Sequence, residues 1–272
     1  MPTINTRGAD IWYDVAGSGP PLVLTGGYGL MHNQYDRITP FLAKSYTVVN
    51  WNHRGAGKSS RAWPQPFTLD DWVDDMAAVL AHLKMDKVFM LGLSYGGLFC
   101  IRAATRWPKL VRAMIVSPNS GSTAGPRLSR MQDVILGLVE TIGFDGFAVL
   151  VQLIDSADQN QMRGDCGGQA RYIAEALKAN LTLGALAKIM DVFNQVDLHE
   201  DVAKVLVPIG VLVGDSGRGA ASKAPMAQVI EAFVALCRNA EVLRIPNAGG
   251  TFTVVEKPEE TAAAIHAFLG KA

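Results

Sequence analysis

Apolar runs of strand length recur along the chain and alternate with stretches of helical spacing. Most of these runs are continuous rather than alternating between apolar and polar residues, which is typical of strands buried on both faces. Because helices must then cover both faces, the pattern predicts a mostly parallel sheet flanked by helices. The predicted strands are 9–15, 21–24, 46–51, 87–91, 111–116, 208–213 and 241–245.

Three segments supply predicted covering helices. In 69–84, apolar side chains recur every three to four residues, and aspartates crowd the first turns, where the helix dipole favours negative charge. The segment 95–107 stops before Pro108, and 258–269 begins with a proline and ends at Gly270. These helices fit the outer layers of an α/β fold.

The segment 119–201 interrupts this alternation. It opens with a turn-rich stretch and has no convincing strand, so we expect a helical insertion between two strands. The remaining parts, 1–118 and 202–272, then form one α/β core. Helices are predicted inside the insertion at 128–141, 144–153, 169–180 and 183–194.

Composition supports one compact domain and narrows the range of partners. Of 272 residues, 49% are hydrophobic and 18% are charged, against a usual charged share of about 25%. Basic and acidic residues number 25 each, so no net field would collect nucleic acid or an anionic membrane surface. No run of about 18 apolar residues lacks a charge, so no membrane span is expected.

The cysteines and carboxylates indicate neither a disulfide framework nor a metal centre. Cys100, Cys166 and Cys237 are widely spaced and form no CxxC motif. The aspartates of 155–165 have no ligand-like spacing with histidine, so no metal and no cofactor are expected. The first residues contain neither a basic segment nor an apolar run, which predicts a cytoplasmic protein.

The strongest chemical signal is a serine at a predicted strand-to-helix junction. The strand 88–91 runs into Gly-Leu-Ser-Tyr-Gly at 92–96, a G-x-S-x-G pattern, and a helix follows. Small residues two positions either side of Ser94 allow a sharp turn that exposes its hydroxyl at a helix N-terminus, where the dipole stabilises a developing alkoxide. The alternative is a glycine-rich turn with an incidental serine.

Two further segments follow earlier predicted strands. In Thr-Gly-Gly-Tyr-Gly at 25–29, the amides near Gly27 and Tyr28 are candidates to hold an oxyanion together with the amide of Tyr95. Asn-His-Arg-Gly-Ala-Gly-Lys-Ser at 52–59 follows the next strand. In the order and spacing of these motifs, over nearly its full length, the chain resembles the α/β-hydrolase fold family.

The resemblance implies a single domain with a mostly parallel central sheet and helices on both faces. The insertion 119–201 falls where that family carries its lid, over a pocket at the carboxyl ends of the strands. It also implies hydrolase ancestry, with Ser94 in the place of the nucleophile. A small-molecule substrate is the expected partner, and no oligomeric state is indicated.

The chain departs from the family pattern at the acid and at the base. The family's acid usually lies three residues after a glycine of the penultimate strand, where this chain has Gly217, and Asp215 precedes that position by two. The family's histidine position corresponds to Gly250 or Thr251, and 247–258 contains no histidine. Since a serine hydroxyl is a poor nucleophile without a proton acceptor, Ser94 is either activated by another group or is a polar pocket residue.

Two residues are candidates to replace the missing groups. Asp215 is either a displaced acid or an ordinary turn aspartate. His32, in the loop after the oxyanion segment, is the best candidate for a replacement base, although a structural role is the more frequent one for such a histidine. Structural or solvent roles are expected for the remaining histidines, which are His53, His82, His199 and His266.

Three functions are consistent with these features. The first is an enzyme that acts on a small, largely apolar carbonyl compound such as an ester, thioester or lactone. The second is a lyase, isomerase or cyclase that uses the oxyanion amides without an acyl-enzyme, with Tyr95 and Asp215 as acid or base. The third is a ligand-binding protein that has lost catalysis.

Overall fold

A single eight-stranded sheet organises the chain. The computed structural model describes residues 2–27, 29–61, 67–118, 126–155, 166–215, 223–248 and 253–272. The strands lie side by side in the order β1-β2-β4-β3-β5-β6-β7-β8, and β3 to β8 are parallel. They are β1 Thr3–Thr6, β2 Ala9–Ala16, β3 Pro21–Thr25, β4 Thr47–Trp51, β5 Val88–Gly92, β6 Val111–Val116, β7 Ile209–Asp215 and β8 Ala240–Pro246. This sheet confirms the predicted fold class.

All seven predicted strands form, and β1 is the strand that the apolar pattern missed. Its sequence, Thr-Ile-Asn-Thr, alternates between exposed and half-buried positions, so it carries no continuous apolar run. It pairs antiparallel with β2 at the edge of the sheet. By contrast, β5 is buried at every position, as expected for a central strand covered on both faces.

The helices pack in separate groups around the sheet. Helices α2 and α3 pack on each other, and α3 also contacts β5, whereas α1 packs against α10. The helices are α1 Thr39–Leu42, α2 Leu69–His82, α3 Tyr95–Arg106, α4 Pro126–Asp155, α5 Cys166–Asn180, α6 Leu183–Phe193, α7 His199–Lys204, α8 Lys223–Leu236, α9 Thr253–Glu256 and α10 Pro258–Leu269. In the described part of the chain, no helix is both long and apolar enough to cross a membrane.

The regular structure described between β6 and β7 consists of helices joined by short connections. It contains α4 to α7, and no strand of the central sheet occurs in 126–155 or 166–208. Gly143, at φ 68°, breaks α4, which explains why the sequence pattern gives two helices there. The domain limits 118/119 and 201/202 remain a prediction, and α7 runs across the second of them.

A buried ion pair fixes the loop after β4 to α2. The Arg54 guanidinium donates from Nε to Asp75 Oδ2 at 2.6 Å and from a terminal nitrogen to Oδ1 at 2.7 Å, and both side chains are fully buried. Arg54 also donates to the carbonyl of Thr6, and the partly exposed Arg7 donates to Asp75. The pair therefore joins the edge hairpin β1–β2, the 52–59 segment and α2.

Removing the charge of Asp75 should destabilise the fold strongly. Asp75→Asn leaves the Arg54 guanidinium buried without a full counter-charge, so we expect a loss of about 3–5 kcal/mol of unfolding free energy in urea denaturation. The neighbouring Asp74 is the matched control, because its ion pair with Arg106 is partly exposed. Asp74→Asn should cost under about 1 kcal/mol. Equal losses in the two variants would contradict this role of the buried pair.

Candidate active site

The chain turns sharply at Ser94, between the end of β5 and the start of α3. Ser94 has φ 55° and ψ −128°, a region that costs a residue with a side chain about 1–3 kcal/mol. A Cβ at position 92 would lie 2.2 Å from Gly96 O, and a Cβ at position 96 would lie 2.1 Å from Thr25 O. Glycine is therefore required at both ends of residues 92–96, which we call the Ser94 turn.

Hydrogen bonds from two other segments hold the Ser94 turn. The amide of Ser94 donates to Ser117 Oγ at 2.7 Å, just after β6. The amide of Leu93 donates to the Tyr35 hydroxyl at 3.2 Å, and that hydroxyl donates to Thr25 O at 2.9 Å. Tyr35 is fully buried, and burial raises its pKa, so it stays protonated and keeps its donor.

The glycine loop after β3 lies directly against the Ser94 turn. A Cβ on Gly27 would be 2.8 Å from Leu93 O and 3.2 Å from Ser94 Cβ. The amide of Gly27 donates to Gln34 Oε1 at 2.6 Å. The fold thus brings together Gly27, Ser94 and Tyr95 of the predicted site, whereas Tyr28 lies outside the described residues.

His32 lies in the 3₁₀ turn Met31–Tyr35 and packs towards β2. Its ring is tilted against Trp12, with the centroids 4.6 Å apart, and β4 and β3 separate β2 from β5. Burial and, secondly, the positive charge of Lys58 lower the pKa of His32. Its Nδ1 is buried and has no hydrogen-bond partner among the described residues. The catalytic role of His32 remains a prediction.

The predicted acid lies at the end of a nearby strand. Asp215 closes β7 opposite Pro246 of β8, and β6 separates β7 from β5. Because these strands are parallel, its backbone is at the same edge of the sheet as the Ser94 turn. The family's histidine position, Gly250 or Thr251, falls outside the described residues.

The other histidines have structural partners. His53 Nδ1 donates to Arg54 O at 2.7 Å, its ring packs on Trp72 and Phe99, and burial lowers its pKa to about 4. This neutral ring fills the core beneath the site. Three pairs complete the set, namely His266 with Tyr46, His199 with Asp197 and His82 with Tyr13.

Helices α5 and α6, between β6 and β7, pack against the candidate site. The ring of Phe193 in α6 lies 4.4 Å from that of Tyr95, centroid to centroid. Asn180 lies at the end of α5 and is 1% exposed. Its side chain donates from Nδ2 to Gly29 O and Leu30 O, and its backbone carbonyl accepts from the Gly57 amide. The end of α5 is therefore joined to both glycine-rich loops.

Sequence reasoning found the turn and missed the side chains that support it. Tyr35, Gln34, Ser117 and Asn180 carry no motif, and their contacts join residues that are between 7 and 151 positions apart in the chain. The described residues contain no group of three or more histidine, cysteine or acidic side chains that could hold a metal ion. A groove of about 340 Å³ between α2, α3 and the α6–α7 connection includes Arg102, Asp70 and Asp201, and none of the predicted site residues lines it.

Comparison with known proteins identifies the family. The model of the alpha/beta hydrolase fold family matches residues 20–159, half of the chain. The chain belongs to the α/β-hydrolase fold family. Its similarity to an enol-lactonase from Burkholderia xenovorans covers 99% of this chain and 100% of that one, with a TM-score of 0.82 at 18% identity, which supports the fold alone.

Sequence relatives in this family have varied names. A proline iminopeptidase, PfmaB, of Pestalotiopsis fici is 28% identical over 234 residues, covering 76% of this chain and 80% of that protein. A non-heme haloperoxidase of Rhodococcus erythropolis is 24% identical over 274 residues, covering 90% and 91%. The chain spans about half the length of other curated relatives that it matches. Membership of the α/β-hydrolase family therefore leaves the reaction to be argued from the site.

A methyl group at position 96 should distort the Ser94 turn. Gly96 is inside α3 with a helical backbone, so Gly96→Ala tests the contact with Thr25 O rather than backbone strain. We expect a loss of about 1–3 kcal/mol in unfolding free energy. Gly137→Ala is the control, because nothing lies within 4 Å of a Cβ there, and it should stabilise by about 0.5–1 kcal/mol. A neutral or stabilising Gly96→Ala would disprove the tight approach of β3 to α3.

Proposed function

We propose that the protein hydrolyses a small, largely apolar carbonyl compound, an ester, thioester or lactone, with Ser94 as the nucleophile. The observation that carries this proposal is the strained backbone of Ser94 at the start of α3, with Gly27 packed against it. Such a turn presents a hydroxyl above the carboxyl edge of the sheet. It is the nucleophile elbow of the proposed enzyme.

Acyl transfer at this position follows from the groups around Ser94. Its Oγ attacks the carbonyl carbon, and the carbonyl oxygen becomes an oxyanion that the amides of Gly27 and Tyr95 hold, with Tyr28 as the neighbouring donor. The N-terminus of α3 adds a favourable field for this charge. Collapse of the tetrahedral intermediate expels the alcohol or thiol, and water then attacks the acyl-enzyme and restores the serine.

The proton of Ser94 needs an acceptor other than the family's histidine. His32 and Asp215 are the two candidates. Burial keeps His32 in the neutral form, which is the form that accepts a proton, and its Nδ1 takes no described hydrogen bond. The backbone of Asp215 shares the sheet edge with Ser94, which favours a carboxylate that acts as the base directly or orients another acceptor.

The inserted segment is the proposed lid of this pocket. Its contacts support the role, because Phe193 packs on Tyr95 and Asn180 binds the loop that contains Gly27. A helical cover excludes water from the oxyanion, where low dielectric strengthens the hydrogen bonds to it. An apolar cover also favours a largely apolar substrate.

A lyase, isomerase or cyclase is the second candidate. It is favoured by one specific observation, the absence of histidine from 247–258. An enolate held by the same amides needs no acyl-enzyme, and Tyr95 and Asp215 then act as acid or base. One relative is named a non-heme haloperoxidase, and that name describes a reaction other than hydrolysis.

Labelling with a fluorophosphonate separates these functions. We expect covalent labelling at Ser94, turnover of p-nitrophenyl acetate with a burst, and loss of at least about 100-fold in turnover in Ser94→Ala. Ser45→Ala is the control, because Ser45 is exposed and remote from the turn, and it should label normally.

Other outcomes assign the other functions. Absence of labelling and of ester turnover would contradict hydrolysis by Ser94. Full turnover of a converted substrate by Ser94→Ala would support the non-hydrolytic reaction. Binding of a small carbonyl ligand without product would identify a ligand-binding protein.

A further inference from the structure

The amide that the proposed reaction needs is already hydrogen-bonded to a side-chain carbonyl. Gly27 N–H donates to Gln34 Oε1 at 2.6 Å, and Gln34 is only 3% exposed. Because an N–H donor requires an acceptor, this bond fixes which end of the carboxamide faces Gly27. Gln34 therefore presents a carbonyl oxygen to the candidate oxyanion donor.

This carbonyl oxygen lies beside the proposed nucleophile. Gln34 Oε1 and Ser94 Cβ are each 3.2 Å from the point where a Cβ of Gly27 would be. Gln34 Oε1 and Ser94 Cβ are therefore at most about 6.4 Å apart, twice 3.2 Å. The carboxamide of Gln34 and the carbonyl of an ester or lactone are similar acceptors, and both would bind the same N–H next to the same serine.

Bonds other than that of Gln34 also hold the loop. Tyr35 ties its beginning to the Ser94 turn through Thr25 O and the Leu93 amide. Asn180 ties its middle to α5 through the carbonyls of Gly29 and Leu30. The backbone on both sides of Gly27 would therefore keep these bonds if the bond from Gly27 to Gln34 were exchanged.

The geometry points to Gln34 as a specificity-determining residue whose side-chain carbonyl occupies the substrate's carbonyl position and is displaced when substrate binds. This inference deepens the proposed function and rests on it. In the empty site the carboxamide satisfies a buried N–H that would otherwise lack a partner. Substrates with strong carbonyl acceptors displace it readily, and weak acceptors do not. No covalent bond forms or breaks in the exchange.

Substitutions at Gln34 in the 272-residue chain test the exchange. Gln34→Met keeps the length and removes the carbonyl, so fluorophosphonate labelling of Ser94 and kcat/KM for p-nitrophenyl acetate should both rise about five- to tenfold. Gln34→Glu places an anionic acceptor on the same N–H, and both values should fall about tenfold or more. Gln195→Met is the matched control, since Gln195 is exposed, and it should leave both values unchanged.

The outcomes distinguish this inference from the proposed function. If the wild type is labelled, and Gln34→Met has an unchanged Tm but is labelled at the same rate or more slowly, the exchange is overturned. Gln34 would then be a support of the loop. If Gln34→Met does not fold, Gln34→Asn decides in the same way, because its shorter side chain retracts the carbonyl. Absence of labelling in every variant would overturn hydrolysis by Ser94 and this inference with it.

Discussion

The close approach of three strand ends around Ser94 is the constraint on which the site depends. β5 leaves the sheet through a residue with positive φ, and α3 begins so near to β3 that position 96 has no room for a methyl group. Ser117, directly after β6, accepts a hydrogen bond from the amide of Ser94 at its Oγ. The serine is thus held by the ends of the sheet strands and by side chains packed next to them.

Local strain at Ser94 is offset by bonds that the rest of the fold supplies. A backbone of this kind costs about 1–3 kcal/mol, and a typical hydrogen bond returns about 1 kcal/mol. The contacts from Ser117 and Tyr35 are therefore of the right size to hold the turn. Since Tyr35 also binds Thr25 O, the same hydroxyl joins the end of β3 to the Ser94 turn. The same hydrogen bonds therefore position Ser94 and offset the strain of its backbone.

The parts of the fold that the sequence predicted are those with a local signal. Buried parallel strands read as continuous apolar runs, and the Ser94 turn has a motif with a steric reason for each glycine. The apolar pattern does not predict β1, α1, α7, α8 or α9. β1 is short and polar, and α1, α7 and α9 span only four to six residues, too few to show a helical period. α8 has 14 residues and was not recognised. Gln34 and Asn180 were missed for a different reason. The partner of Asn180 is Leu30, 150 residues away along the chain, and no sequence spacing indicates a hydrogen bond over that separation. Gly27 is only seven residues from Gln34, but no motif in the loop between them marks this hydrogen bond.

A crystal structure of the protein after reaction with a small phosphonate tests the central claim most directly. The account predicts phosphorus bonded to Ser94 Oγ, a positive φ at Ser94 as in the free protein, and the phosphonyl oxygen within hydrogen-bond distance of the Gly27 and Tyr95 amides. An unmodified Ser94 with an extended or helical backbone, or an adduct whose oxygen points away from both amides, would contradict it.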